Sequence, residues 1–436
     1  MKGFFEKTFR LRYYGTDIKT EIRAGIVTFL TMAYIIVVNP SILEAAGLPK
    51  GPSMVATILT VIFGTLIMAF YANRPFAVAP LMGENAFVAF TVCKVLHCSW
   101  QTALAAVFVS GLLVTFLTIT KLRQWLVDSI PSGIKYAIAV GIGLFLSFIG
   151  LNESGIVTLG FPGAPVHVGK LTSPETILSV FCFLLIVILM VRKIKGAILI
   201  GILVSTFLAF IFKLTPAPEK IVSLPPSLSD IFCKMDFPSL LSWKMFPILL
   251  TMFLMDFLDM MGTLIGCSAQ AGFIDEKGNL PEAQKPMLAD SLASVFSAMA
   301  GTTTSGTYVE SAAGIQEGGR TGLTALIVAL LFGFSLFFAP LLTAVPPQAY
   351  GPALIIVGLF MIKPITKINF DDYSESIPAL VIIGLMSFTY NIGVGLLAGF
   401  VLYPLVKVFS GKIQEVNAGL WTLFILSVLF FVFYPY

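Results

Sequence analysis

Glu84, Asn85, Asp256, Asp259, Asp290 and Glu310 stand inside long apolar runs of the sequence. A carboxylate at the centre of a lipid-embedded helix costs about 2.5–3.5 kcal/mol, so each acid there needs a partner or a purpose. Asp256 and Asp259, three residues apart, share one face of a helix. Asp256 and Asp290 are expected to make structural hydrogen bonds. Asp259 and Glu310 are expected to be functional, because they lie on consecutive polar elements that can enclose one site. No Lys or Arg lies deep in an apolar run. Acids, an amide and hydroxyls without a cation suit a neutral ligand bearing N–H donors and argue against sulfate, phosphate or a carboxylate. Asn85 brings one donor and one acceptor to such a ligand.

Two broken segments carry these groups. Arg74-Pro-Phe-Ala-Val-Ala-Pro80 has two prolines that cannot propagate a helix, so extended backbone is predicted there. A helix then starts within Leu81-Met-Gly-Glu-Asn85 and runs to about His97. Gly301-Thr-Thr-Thr-Ser-Gly-Thr-Tyr308 is likewise rich in small and β-branched residues, with a short helix opening at Val309-Glu310. Glu84, Asn85 and Glu310 fall at the two helix starts, where unpaired N–H groups and the helix dipole favour negative charge. Irregular backbone at membrane depth is tolerated only inside protein or along a cavity.

The elements that must position these segments follow from composition. Of 436 residues 57% are hydrophobic and 11% charged, with mean hydropathy +0.94, too few charges to coat a surface in water. Five scattered cysteines imply no disulfide framework, and two histidines (His97, His167) no multi-histidine metal site. No cofactor or metal is expected, nor an enzyme, because no nucleophile–base constellation is readable. The net charge of +4 does not point to nucleic acid. The expected partner surface is a lipid bilayer, and no cleavable leader is read in the polar first 19 residues.

Fourteen crossings are expected, near residues 20–40, 53–72, 81–97, 101–120, 132–151, 174–191, 196–213, 244–270, 284–302, 309–317, 320–343, 348–362, 374–391 and 392–409, with the third and tenth short and interrupted. A further apolar stretch, Leu420–Tyr434, reads equally as a crossing or an interfacial helix. With the N-terminus inside, 20 of the 27 Lys and Arg fall on the inner side, among them Arg74, Lys121, Arg123, Lys277 and Lys412. Both termini are then expected to be cytoplasmic. The proline-rich stretch Leu214–Trp243 lies midway. Pro131–Phe145 lies over Pro346–Phe360 without a gap, sharing the opening Pro and the closing Gly-Leu-Phe. These are the fifth and twelfth crossings, and seven per half makes the second half upside down. The fold class is therefore an all-α polytopic membrane protein, fourteen segments in a 7+7 inverted repeat, as in many secondary transporters.

Four stretches carry a resemblance: Tyr14–Pro40, Ala79–Phe87, Asp256–Gly266 and Thr307–Gly322. Together they resemble the AzgA-type hypoxanthine/adenine/guanine permeases, a branch of the nucleobase:cation symporters. The resemblance implies import of a purine nucleobase by proton symport in a bacterial inner membrane, with alternating access, and leaves a homodimer open. It implies short antiparallel strands in segments three and ten. It also implies a core domain from residues 1–122 and 244–344, a gate domain from 131–215 and 346–410, an extracytoplasmic linker at 216–243 and an apolar tail at 411–436. Asn85, Asp259 and Glu310 match the family's polar positions in segments three, eight and ten, with Glu310 or Asp259 carrying the proton. Backbone N–H groups near Gly83 and Val309 would meet ring acceptors, Glu84 is counted with the site, and Tyr308 and Phe87 are read equally as flanking the ring or as packing against lipid or protein. Thr263 stands where the uracil/xanthine branch has a histidine, so histidine-based coupling does not transfer. Glu310-Ser-Ala-Ala-Gly314 departs from that branch's motif, which points to purines. Leu81 replaces a frequent glycine, so a somewhat different strand-to-helix turn is expected. The alternative is a uracil/xanthine-type or other neutral small-molecule permease of the same fold, with an anion transporter or a channel ranked below it.

Overall fold

The computed structural model describes residues 2–120, 129–161, 164–273, 280 and 282–433. Lys121, Arg123 and Lys277 lie outside them. The first half runs α1 (Lys2–Phe9), α2 (Ile18–Met32), α3 (Ile35–Glu44), α4 (Lys50–Ile67), β1 (Val78–Pro80), α5 (Met82–Ala86), α6 (Trp100–Thr120), α7 (Ser132–Glu153), a hairpin of β2 (Val157–Phe161) and β3 (Ala164–Val168), α8 (Pro174–Val191) and α9 (Ala197–Ile211). The second half runs α10 (Phe237–Leu240), α11 (Phe246–Gln270), α12 (Gln284–Ala300), β4 (Ser305–Thr307), α13 (Ser311–Gln316), α14 (Gly322–Ser335), α15 (Ala339–Thr343), α16 (Pro347–Ile362), α17 (Tyr373–Phe388), α18 (Ile392–Phe409) and α19 (Ala418–Phe433).

Local chemistry sets the boundaries. Asp17 caps α2 by accepting the N–H groups of Lys19 and Thr20 at 2.8 and 3.0 Å, satisfying two of the helix's orphan donors. The first crossing breaks at Ala33–Tyr34, between α2 and α3, which sets the Tyr34 ring inside the protein, 1% exposed. Helix α4 widens into a π-helical turn over Met68–Ala72 and stops at Asn73, whose φ of 48° is left-handed. The Asn73 amide then ties two distant segments together, donating to Phe9 C=O and accepting from Gly322 N–H. After α5 the third segment continues as π-helix over Phe87–Val95.

Eight helical stretches among the described residues are long and apolar enough to cross a membrane. Helices α9, α11, α12 and α17 and the two strand-helix segments complete the fourteen. Helices α2, α4 and α6 pack with α12, α13 and α14, and α3 lies on α4, while α7, α8 and α9 pack with α16, and α7 packs also with α17, which in turn holds α18. The repeat is visible in detail. Pro131 and Pro346 occupy the position before α7 and α16, respectively, and Gly143 and Gly358, matched by the sequence overlay, lie against each other where those helices cross.

One feature was not anticipated, and one left open takes a definite place. The β2–β3 hairpin pairs Val157 with Val168 and Thr158 with His167, a short sheet between the fifth and sixth crossings. Helix α19 packs along α18 and α11. Its start is fixed where Asn417 Nδ2 donates to Ser129 C=O at 3.0 Å, beside the start of α7. Its end stacks Phe433 on Trp243 at 5.4 Å between centroids, beside the start of α11.

Candidate functional site

β1 and β4 pair antiparallel, Val78 with Thr307, Ala79 with Gly306 and Pro80 with Ser305. Two further backbone bonds close this three-residue ladder, from Leu81 N–H to Thr304 C=O at 2.9 Å and from Tyr308 N–H to Ala77 C=O at 2.8 Å. Leu81 has an ordinary extended backbone, φ −80° and ψ 128°. Leu81 fits this turn in that conformation, so no glycine is needed there. Leu81 instead lies over Gly306, where an added Cβ would meet its side chain at 3.3 Å.

A strand pair this short needs bracing, since a two-stranded ribbon is marginal on its own. Thr65 Oγ1 on α4 accepts Val78 N–H at 3.0 Å and donates to Val78 C=O at 3.3 Å. Ser294 Oγ on α12 does the same for Ser305, at 3.1 and 2.8 Å. One hydroxyl per half thus holds one strand per half, from equivalent segments of the repeat. Thr307 Oγ1 lies 3.0 and 2.9 Å from the two oxygens of Asp290, and Ser294 Oγ lies 3.3 Å from Asp256 Oδ1. Asp256 and Asp290 therefore support β4 from behind. Asn39 does so too, donating to Thr57 and Thr302 at 2.7 and 2.9 Å.

The groups that converge on the strands' helix ends are of a different kind. Tyr34 donates its hydroxyl to Glu310 Oε1 at 2.5 Å. Tyr308 donates across the ladder to Pro80 C=O at 3.1 Å and is fixed by it. Asn85 is fully buried and its Oδ1 accepts from the Thr303 hydroxyl; its Nδ2 has no partner among the described residues. Glu84 is 2% exposed and both its oxygens lack a partner. Glu84 lies within electrostatic reach of Asp259 and Asp256, and Tyr308 within reach of Glu310, Asp259 and Glu84. Asp259 and Glu310 are partly exposed and Val309 beside them is half-exposed. Gly83 lets α5 approach α7, with Ile142 Cγ2 3.0 Å from where a Cβ would stand. Thr263 is tied back to its own helix, donating to Asp259 C=O at 3.0 Å. Phe87 is buried and lines a small gap with Leu96, Pro247, Ile248 and Thr251.

The family profile Xan_ur_permease, described as Permease family, matches residues 19–400. The chain belongs to this permease family. The permease is 45% identical to a Methanocaldococcus jannaschii chain over 99% of its own length and 98% of that chain. It is 38% identical to the guanine/hypoxanthine permease PbuG of Bacillus subtilis, covering 99% of this chain and all of that one. With the adenine permease AdeP of Escherichia coli it shares 37%, over 99% of this chain and 97% of that one. Among solved structures, the transmembrane domain of the cyanobacterial bicarbonate transporter BicA superposes with a TM-score of 0.62 at 16% identity, covering 87% of this chain and 97% of that one. Murine Slc26a9, an anion transporter in the inward-facing state, gives 0.65 at 11%, covering 94% and 72%. These likenesses show the 7+7 inverted-repeat fold. The permease is an integral membrane transporter and not an enzyme.

Sequence reasoning did not find Tyr34, Thr303, Thr65 or Ser294. Tyr34 lies inside the Tyr14–Pro40 stretch, but nothing in its neighbours announces a break at that residue. Thr65 and Ser294 are single hydroxyls on apolar helices, which usually bond their own helix.

Proposed function

We propose that this permease imports a purine nucleobase, such as adenine, guanine or hypoxanthine, by proton symport with alternating access. What supports the reading is the chemistry gathered around the strand pair: Tyr34 holds Glu310, Tyr308 lies within electrostatic reach of Glu310, Asp259 and Glu84, Thr303 holds Asn85, and among the described residues no Lys or Arg is a hydrogen-bond partner of these groups. Carboxylates accept hydrogen bonds from purine N–H groups, and the Asn85 amide meets an edge that offers both a donor and an acceptor. The relatives named as guanine/hypoxanthine and adenine permeases support the same substrate class. The anion transporters of like fold do not, since an anion needs cationic groups where this site has acids.

The core (1–122 and 244–344) is proposed to move against the gate (131–215 and 346–410), with 216–243 as the linker and 411–436 as the tail. The membrane is the cytoplasmic one, with the N-terminus inside. Helix α7 then starts at the inner face and α11 at the outer face. Helix α19 reaches from Ser129 to Trp243, and its 16 residues rise about 24 Å. We read it as a crossing outside the fourteen of the repeat. The chain leaves α19 at the outer face, a revision of the expectation that both ends are cytoplasmic.

Glu310→Gln tests the assignment. Radiolabelled purine uptake into purine-transport-deficient cells should be lost in the variant, and full proton-driven accumulation would refute the role given to Glu310.

A further inference from the structure

The carboxyl of Glu84 is enclosed, and neither oxygen has a donor among the described residues. Every other acid near the strands is engaged or open. Glu310 takes the Tyr34 hydroxyl, Asp290 lies against Thr307, Asp256 lies beside Ser294, and Asp259 is partly exposed. Helix α5 packs against α3, α7 and α11. From α11 come two more carboxyls, Asp256 and Asp259, and from the tenth segment comes Tyr308. The head of α3 brings Tyr34, already committed to Glu310. Helix α7 offers Ile142 at the contact, its titratable residues Lys135, Tyr136 and Glu153 lying in its first and last turns. Among the described residues α3, α5 and α11 carry no Lys or Arg, and Lys94 lies in the last turn of the third segment's own π-helix.

A bare carboxylate in such a place, with two further acids in reach, carries an uncompensated charge that proteins avoid by neutralising the group. A neutral carboxyl has one O–H donor and one C=O acceptor side by side. The next residue, Asn85, adds an amide Nδ2 that is also buried without a partner. Buried polar groups are normally hydrogen-bonded, so two such groups left unpaired on consecutive residues call for a partner that arrives.

We propose that Glu84 is the residue that carries the symported proton, and that protonated Glu84 together with Asn85 Nδ2 hydrogen-bonds one edge of the nucleobase. This rests on the purine reading and deepens it. The sequence pointed to Glu310 or Asp259 for the proton; the Tyr34 contact instead suits Glu310 to act as a standing acceptor. The proton enters from the outer water onto a Glu84 oxygen and leaves to the inner water after the base has gone. Because the O–H donor exists only in the protonated form, proton and purine each raise the other's affinity by the same factor.

The test uses purified full-length protein in proteoliposomes, with tritiated hypoxanthine, adenine and guanine as probes and an entrapped pH dye. Wild-type binding should take up one proton per purine, and the Kd should rise towards tenfold per pH unit at alkaline pH. In Glu84→Gln the Kd should lose this pH dependence, binding should draw no proton, and accumulation should be lost. Proton-driven accumulation in Glu84→Gln at the wild-type level overturns the proposal. If that variant does not assemble, Glu84→Asp must shift the pH profile of accumulation, and an unchanged profile overturns the proposal equally. Absence of purine binding in the wild type would instead sink the purine reading.

Discussion

Gly143 and Gly358, equivalent residues of the two halves, touch across the crossing of α7 and α16. A Cβ added to Gly143 would stand 2.6 Å from the Gly358 carbonyl, and one added to Gly358 would strike the Gly143 carbonyl and Ser147 Oγ. Close helix approach in membranes depends on such small residues. Because the obstacle is backbone on both sides, it cannot rotate away. Gly358→Ala should destabilise the protein by about 1–3 kcal/mol, the usual cost of overpacking. A melt of detergent-purified protein followed by tryptophan fluorescence checks this, and an unchanged Tm would contradict the contact.

The strand clamps predict a symmetric pair of effects. Ser294→Ala and Thr65→Val each leave a strand N–H without its hydroxyl acceptor, at about 1–3 kcal/mol apiece. Both variants should weaken purine binding without abolishing expression, because the strands position the site rather than form it. Equilibrium binding with each variant and the double variant measures the loss. Wild-type affinity in both would show that the strands stand without them.

Tyr34 makes a prediction of another kind. Tyr34→Phe keeps the ring and removes only the hydroxyl that Glu310 accepts at 2.5 Å. Hydrogen bonds to a charged group contribute about 1.5–3 kcal/mol, so purine affinity should fall about tenfold or more. Direct binding measurements decide it, and an affinity within twofold of wild type would remove Tyr34 from the site.

At the edge of the bundle, Asp372 caps α17 and meets Lys412 Nζ at 2.5 Å. The Lys412 amine and then Ser374 hold the Asp372 carboxyl well below its ordinary range. A depressed carboxylate stabilises the fold above the unfolded value, near pH 4, and loses that contribution as pH falls through the folded one. Asp372→Asn should therefore flatten the acid limb of a Tm-against-pH curve and lower Tm at pH 7. A curve parallel to wild type would deny the pair any role.

The membrane architecture was legible because hydropathy, basic loops and proline breaks act locally. Pro75 and Pro80 announced the extended third segment, and the small residues from Gly301 to Thr307 announced the tenth. Even the thin overlay of Pro131–Phe145 on Pro346–Phe360 marked a real contact, since its shared glycines meet. What stayed hidden depends on partners far apart in the chain. Tyr34 and Glu310 are separated by 276 positions, and no local pattern links them. The support given to β4 by Asp256 and Asp290, the bond from Thr303 to Asn85 and the enclosure of Glu84 arise only once two halves close on each other. The β2–β3 hairpin escaped because a short ribbon outside the bilayer leaves no hydropathy signal.

The central claim, that a cation-free pocket of acids and an amide binds a purine, is tested most directly by counterflow in proteoliposomes. Vesicles preloaded with unlabelled hypoxanthine should take up tritiated hypoxanthine saturably. Adenine or guanine should compete, bicarbonate and sulfate should have no effect, and the uptake should vanish in Asp259→Asn with Glu310→Gln. Uptake that ignores all three purines, or that follows an anion, would contradict it.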